Sequence, residues 1–225
     1  MPQLFKTKDG SDSLFSEQFG VSYHSKYGAI QETQHVFINA ALRLKALHKR
    51  QISILDIGFG TGLNAYMTLL EAQKRYLDIQ YAAIEAFPID CQQANQLNYN
   101  AILEADKSQA QFMQLHEALW EVPIAIQDNF SIIKHKMKFE MVSFIDTFDI
   151  IYYDAFAPNA QPELWGEEIF TKMYRALKWE GILVTYCAKG IVKRTLKSIG
   201  FEVESLKGPP GKREMTRAIK VEPEN

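Results

Sequence analysis

Three glycines and two carboxylates at the ends of apolar runs are the residues whose types and spacing could do chemistry. Gly58, Gly60 and Gly62 form a G-x-G-x-G in Asp56-Ile57-Gly58-Phe59-Gly60-Thr61-Gly62-Leu63-Asn64. The branched apolar run from Ile52 to Ile57 predicts a buried parallel strand. After the glycines, Leu63, Tyr66, Met67, Leu70 and Leu77 keep roughly the period of a helix with one face on a sheet. Strand, glycine turn and helix together bring backbone N–H groups and a helix N-terminus over the carboxyl edge of the strand, where a ligand is met. The dinucleotide fingerprint is G-x-G-x-x-G, with a pyrophosphate on the helix N-terminus. The tighter spacing here disfavours a nicotinamide oxidoreductase and suits a nucleoside with no phosphate, of which S-adenosylmethionine is one. Glu85 ends the next apolar run, 23 positions beyond Gly62, where a carboxylate would grip a ribose hydroxyl pair. The plain alternative is an ordinary glycine turn with an exposed strand-end Glu.

The second carboxylate is Asp154. The run Asp149-Ile150-Ile151-Tyr152-Tyr153-Asp154 predicts another buried strand ending in an acid, left by the rigid loop Ala155-Phe156-Ala157-Pro158. In doubly wound sheets ligands lie beyond the strand ends where strand order reverses. The first strand and the one ending at Asp154 should flank that crevice. Methylating an amine needs the nitrogen lone pair, so an ammonium must lose its proton first, and an acidic side chain can orient the amine and take or relay that proton. Asp154 is the catalytic candidate on this reading, with Phe156 and Pro158 shaping the slot beside it. A strand-end Asp that merely caps its loop is the alternative.

Nothing else has ligand spacing. The histidines at 24, 35, 48, 116 and 135 are dispersed and read as surface or packing residues. Cys91 and Cys187 read as buried or idle thiols, so no metal is expected. Trp120, Trp165 and Trp179 fall at helix positions and read as core rather than as a base-stacking platform.

The elements that must position these groups alternate. Residues 1–29, polar with scattered aromatics, predict an extended arm packed on the domain, and a helix follows from Gln31 to about Leu47. An N-terminal part over 1–48 and a main domain over 49–225 result. After the strand, glycine loop and helix to about Tyr76 comes a strand from Ile79 to Glu85. Phe87-Pro88 opens the next connection, and Ile89 to Leu103 reads as a helix. Residues 104–123 read as partly helical around Phe112 to Trp120, and 124–136 as a hairpin. Phe139 to Ile145 is a short helix candidate. Beyond Asp154 follow a helix from Glu163 to Leu177, a strand from Gly181 to Tyr186, a helix from Ile191 to Ile199 and a strand from Phe201 to Leu206. A Gly-Pro turn then leads to a last strand, Glu214 to Val221. This order predicts an α/β, Rossmann-like doubly wound sheet, mostly parallel, whose C-terminal strand runs antiparallel because no helix precedes it.

Bulk properties narrow the partners. The 225 residues are 47% hydrophobic with 14 Phe and 10 Tyr, enough for a large core in one domain. A formal charge of −2 excludes a chain that is basic throughout. Between Lys189 and Lys220, however, nine Lys and Arg stand against three Glu, a basic stretch that reads either as a solvated face or as a nucleic-acid footprint. The N-terminus has no apolar segment of the secretory kind and no run approaches bilayer-spanning length, so no membrane partner and a cytoplasmic location are expected.

From about Tyr23 to Arg217 the chain resembles the methyltransferase domain of the MnmC-type tRNA wobble-uridine modification enzymes. The resemblance rests on Glu32-Thr33 before Phe37, on the glycine loop through Asn64, and on Glu85-Ala86-Phe87-Pro88. It continues through Asp154-Ala155-Phe156-Ala157-Pro158, Trp165 with Phe170, Gly190-Ile191-Val192-Lys193-Arg194, and Gly211-Lys212-Arg213-Glu214-Met215. It implies a class I S-adenosylmethionine-dependent fold and methylation of the aminomethyl nitrogen on the wobble uridine of tRNA. Carried over to the matching positions, it implies cofactor contacts from Gly58, Phe59, Gly60, Gly62, Asn64, Glu85, Phe87 and Asp154. It also implies contacts to the tRNA anticodon loop from Glu32, Phe156, Pro158, Lys193, Arg194, Lys212 and Arg213. Bifunctional relatives carry a flavin-dependent oxidoreductase domain after this one; no flavin is expected in this chain, and a separate enzyme would supply the aminomethyl uridine. Ala86 stands where the family usually has Lys, Ala155 where it has Gly, and Lys134-His135-Lys136-Met137-Lys138 where relatives carry a Gly-Asp for the adenine. The alternatives are a small-molecule amine methyl- or aminopropyltransferase on the same fold, and a non-catalytic RNA-binding module. The basic stretch argues against a polyamine pocket, and the intact glycine and carboxylate set against a module without cofactor.

Overall fold

The computed structural model describes residues 2–103 and 109–222. Near the N-terminus, β1 (Gln3–Lys6), β2 (Asp12–Ser16) and β3 (Val21–Ser22) pair antiparallel in a small sheet of their own. This is the segment expected as an extended arm. The main sheet contains β4 (Gln51–Ile57), β5 (Asp78–Ile84), β6 (Ile124–Gln127), β7 (Phe130–His135), β8 (Phe148–Tyr153), β9 (Leu177–Thr185), β10 (Phe201–Lys207) and β11 (Glu214–Lys220), in the order β10-β11-β9-β8-β4-β5-β7-β6. Strands β7, β5, β4, β8 and β9 run parallel, and β11 runs antiparallel to both β9 and β10. Chain order reverses between β4 and β8, so the glycine loop after β4 and Asp154 after β8 meet at the switch point.

The sheet is buried on both faces, as parallel strands require. Along β8, Ile150 and Tyr152 join one apolar cluster with Phe37, Tyr66 and Tyr81, while Ile151 and Tyr153 join the other with Trp165 and Phe170. The helix expected from Gln31 runs from Ala29 to Lys45 as α1 (Ala29–Thr33), a wide-turned segment over Gln34–Leu42, and α2 (Arg43–Lys45). In the wide segment hydrogen bonds skip five residues, as where the Arg43 N–H donates to the Ile38 carbonyl; such turns gather near functional sites. After the glycines comes α3 (Leu63–Arg75).

Several expected helices are shorter. Ile89–Leu103 divides into α4 (Cys91–Asn95) and α5 (Tyr99–Ile102). The break falls at Asn98, whose side chain is drawn off to clasp the N-terminal sheet: its carbonyl accepts the Asp12 N–H at 2.8 Å and its amide donates to the Gly10 carbonyl at 2.9 Å. Part of 104–123 lies outside the described residues; α6 (Gln109–Glu117) ends before Trp120. Only Phe139–Met141 of the 139–145 candidate is helical, as a single 3-10 turn. A 3-10 turn, Pro162–Trp165, precedes α7 (Glu167–Ala176), and α8 (Gly190–Ile199) follows β9. Trp165 is core, but Trp179 sits on β9 and is 44% exposed, its ring under the Lys220 ammonium.

At the edge of the sheet away from the site, β4 and β8 are tied by side chains. The buried Asp149 carboxylate accepts the Ser53 N–H and hydroxyl, both at 2.8 Å, and the Lys49 ammonium at 2.7 Å. Burial works to raise the Asp149 pKa, but the bonds from Lys49 and Ser53 outweigh it and hold it below the usual carboxylate range. Asp149→Asn is therefore expected to cost about 1–2 kcal/mol at neutral pH, because the lysines are half in solvent and contribute little. A depressed pKa stabilises the fold above the unfolded-state value and stops doing so as pH falls through the folded-state value. The gap between parent and variant in urea unfolding should therefore close in acid; a gap constant down to pH 3 would mean that the carboxylate charge is not what ties these strands.

Candidate active site

The loop after β4 is built so that backbone, not side chain, faces the crevice. Gly58, Gly60 and Gly62 all have positive φ (102°, 51° and 74°). A Cβ at Gly58 would lie 2.9 Å from the Asp154 carbonyl, so the loop and the end of β8 touch. Behind the loop, Phe59 is buried against His116 and Trp120. His116 reaches the Thr61 carbonyl at 3.1 Å, and the Lys134 ammonium donates to the His116 carbonyl at 2.6 Å. Lys134 faces the Trp120 and Phe59 rings, and burial lowers its pKa to about 8. The basic 134–138 stretch is thus no surface patch at its start: Lys134 is one of the most buried side chains of the protein.

Glu85 closes the front of the loop. Its carboxylate accepts the Gly60 N–H at 3.0 Å and the Phe87 N–H at 2.8 Å, and burial raises its pKa against those two bonds. A carboxylate thus occupies the N–H groups at the front of the glycine loop. Asp154 lies opposite. Its Oδ2 accepts from the Asn64 amide at 2.9 Å, and the Asn64 carbonyl accepts the Thr33 hydroxyl at 3.0 Å. Burial above all, then the charge of Glu32, pushes the Asp154 pKa up to about 7, against the Asn64 bond and the Lys212 charge. Asp56, at the foot of the same loop, is fully buried, receives the Tyr81 hydroxyl at 2.7 Å, and is raised well above the carboxylate range by burial.

Between these groups lies a cavity of about 240 Å³. Of the site residues expected from the sequence, Gly58, Phe59, Gly60, Asn64, Glu85, Phe87, Asp154 and Phe156 line it, while Gly62, Pro158 and Glu32 do not. The rest of the wall comes from residues to which the sequence assigned no site role. The N-terminal sheet and the turn after it deliver Phe19, Tyr23 and His24; the segment after β7 delivers Lys138, Phe139 and Glu140; Gln161 and Glu163 complete the rim. Phe19 packs on both Phe87 and Phe156, and Tyr23 packs edge-on to Phe156. His24 stands in the wall rather than at the surface or in packing alone, and burial lowers its pKa to about 4, so it is neutral. Scattered aromatics in the arm were the one sequence signal for this wall.

The four predicted basic contacts divide. Because β10 runs in the same sense as β9, the turn after β10 and the start of α8 share the carboxyl edge with Asp154. On that edge Arg194 and Arg213 are exposed and make no ion pair among the described residues. Lys193 is engaged, donating to Glu214 at 2.7 Å and to the Ser205 hydroxyl. Lys212 turns inward to Glu32 and lies 3.7 Å from the centre of the Tyr186 ring.

An open sheet with this strand order, a glycine loop facing a strand-end carboxylate, and a second acid across the crevice define a class I methyltransferase. The chain belongs to a family of S-adenosyl-L-methionine-dependent methyltransferases, whose pattern matches residues 91–221. It is 29% identical over 233 residues to the tRNA 5-methylaminomethyl-2-thiouridine biosynthesis bifunctional protein MnmC of Marinomonas sp. (strain MWYL1), covering 96% of this chain and 33% of that protein. A second MnmC, from Ectopseudomonas mendocina (strain ymp), is likewise 29% identical and covers 89% of this chain. The chain thus spans about a third of the length of these curated relatives. Among solved structures it is similar to MNMC2 from Aquifex aeolicus, with a TM-score of 0.78 at 24% identity over 100% of this chain and 73% of that one. Spermidine synthase from Thermotoga maritima shares the fold more distantly, with a TM-score of 0.53 at 14% identity, over 97% of this chain and 71% of that one.

Proposed function

We propose that this chain transfers a methyl group to the aminomethyl nitrogen of the wobble uridine in tRNA. The observation that carries the reading is the Asp154 carboxylate in the cavity wall, with a pKa near 7, across the crevice from the glycine loop and Glu85. The residues fit S-adenosylmethionine: Glu85 can give up its loop N–H groups for a pair of ribose hydroxyls, and Asn64 and Asp154 flank the place for a cation. On the adenine side Glu140 offers the acid that 134–138 lacks. When bound, the cofactor supplies an electrophilic methyl on a sulfonium.

Asp154 takes one proton from the acceptor ammonium. The lone pair so freed would be the one to receive the methyl, and the secondary ammonium product and the Asp154 proton would return to solvent. The aromatic wall of Phe19, Tyr23, Phe87 and Phe156 keeps water off this transfer and offers faces for a flipped base. Such an acceptor implies a cytoplasmic location and an enzyme that makes the aminomethyl uridine. Among the described residues no helix is long and apolar enough to cross a membrane. The test is incubation with labelled S-adenosylmethionine and tRNA lacking the final methyl, followed by nucleoside mass spectrometry; label confined to free amines would move the acceptor to small molecules.

Arg194 and Arg213, unpaired on the site edge, are the phosphate contacts on this reading. Replacing both with Ala should weaken tRNA binding and flatten its salt dependence by about one unit of slope per lost contact, with cofactor affinity unchanged. Equal affinity and slope in the double variant would make that edge a solvated face.

A further inference from the structure

Behind Asp154, two charged residues 180 positions apart in sequence form an ion pair. Glu32, on α1, is buried; one carboxylate oxygen takes the Lys212 ammonium and the other accepts the Ser25 N–H at 2.9 Å. Lys212, on the turn between β10 and β11, lies over the Tyr186 ring. Both partners connect to Asp154 through two residues each. Thr33, next to Glu32, donates to Asn64, which donates to Asp154. Tyr186, beneath Lys212, donates its hydroxyl to the Ala155 carbonyl at 2.8 Å, one residue past Asp154.

We propose that Glu32 and Lys212 are opposed positioning residues for methyl transfer, Glu32 favouring a proton on Asp154 and Lys212 disfavouring it, so that Asp154 stands ready to take a proton from an ammonium acceptor. The proposal rests on the amine-methylation reading above. Neither residue lines the cavity; they act through Asp154. Two like charges cannot both stay ionised cheaply in a shared buried site, and a cation beside them restores the balance. Without Lys212, Glu32 would hold Asp154 protonated and unable to accept. Without Glu32, Lys212 would hold it ionised and weakly basic.

The other groups around Asp154 do not replace this pair. Asp56 on β4 and Tyr81 on β5 face it from beneath, bonded to each other at 2.7 Å, and burial pushes both upward, away from their charged forms. Tyr186 is held neutral in the same way. Glu85 bonds the far side of the loop. His24, from the arm, faces Glu32 and Lys212 but is uncharged above about pH 4. Asp9 lies beyond His24, and Cys187 near Lys212 is a buried thiol held protonated. Lys212 is the cation on this side of Asp154, and Glu32 the second carboxylate.

The experiment compares Glu32→Gln, Lys212→Gln, Lys212→Arg and the double Gln variant. In each, the Asp154 carboxyl is titrated by carbon-13 NMR of the cofactor-free enzyme, assigned with Asp154→Asn, and methyl transfer is followed against pH. Lys212→Gln should move the Asp154 titration and the acidic limb of the rate profile up by about one pH unit, and Glu32→Gln should move both down by a similar amount. Lys212→Arg should stay at the parental position and the double variant should fall between the singles. Shifts of the same sign in both singles, or a fall in rate with the titration unmoved, would overturn the proposal. Opposite shifts in a protein that methylates no amine would leave the pair standing and remove the amine reading instead.

Discussion

Replacing Asp154 with Asn is expected to lower methyl transfer by about 10²-fold or more while leaving the fold and most cofactor affinity intact. The two side chains have nearly the same shape, and an Asn carbonyl can still accept the Asn64 amide that now reaches Asp154 at 2.9 Å. The variant lacks a carboxylate to receive the acceptor proton. The pH dependence separates this from a positional effect. Asp154 must be ionised to act, so the parental rate should rise with pH through its value of about 7, and that limb should vanish in the variant. Single-turnover transfer from labelled cofactor across pH 5 to 9 reads both. A parental rate and profile in Asp154→Asn would reduce the residue to a cap on its loop.

Gly60→Asp should abolish cofactor binding, with a loss of roughly 100-fold or more, which corresponds to about 2.7 kcal/mol. At φ 51° any side chain is strained, and a Cβ there would already meet the Tyr23 ring at 3.1 Å. A carboxylate added at that point would also stand beside Glu85, whose own carboxylate accepts the Gly60 N–H. Gly60→Ala carries the strain and the contact without the charge and should lose less. Calorimetric titration of the folded variants with S-adenosylmethionine is the measurement. Unchanged affinity in Gly60→Asp would take the cofactor away from this loop.

The centre of the sheet was legible because β4, β5 and β8 are dense apolar runs followed by Gly58, Glu85 and Asp154, and because ligand position in such sheets follows from topology. The central pair Glu85 and Asp154 were legible for the same reason: each is the first polar residue after a buried run. The aromatic wall was not. Phe19 and Tyr23 obey neither a helical nor a strand period, and the small sheet that carries them is tied down in part by Asn98, a residue that reads as helix interior. The Glu32–Lys212 pair was equally hidden, since a buried ion pair between distant residues leaves no local pattern; the sequence suggested each as a separate contact to tRNA. The burial of Lys134 has no local signal either, since it depends on Trp120 and Phe59 lying over its ammonium.

Asn98 also sets an order of events during synthesis. The arm with Phe19, Tyr23 and His24 is made before the residues that anchor it. Asn98 holds Gly10 and Asp12, Phe156 receives Phe19 and Tyr23, and the turn at Gly211 packs on Tyr27. A chain made N-terminus first must therefore carry Phe19 and Tyr23 without their Phe156 partner until that residue has emerged, and Tyr27 without its neighbour until the turn at Gly211 has. The cavity wall runs in sequence from Phe19 to Leu164, so a nascent chain halted before Phe156 has a glycine loop but no finished chamber around it.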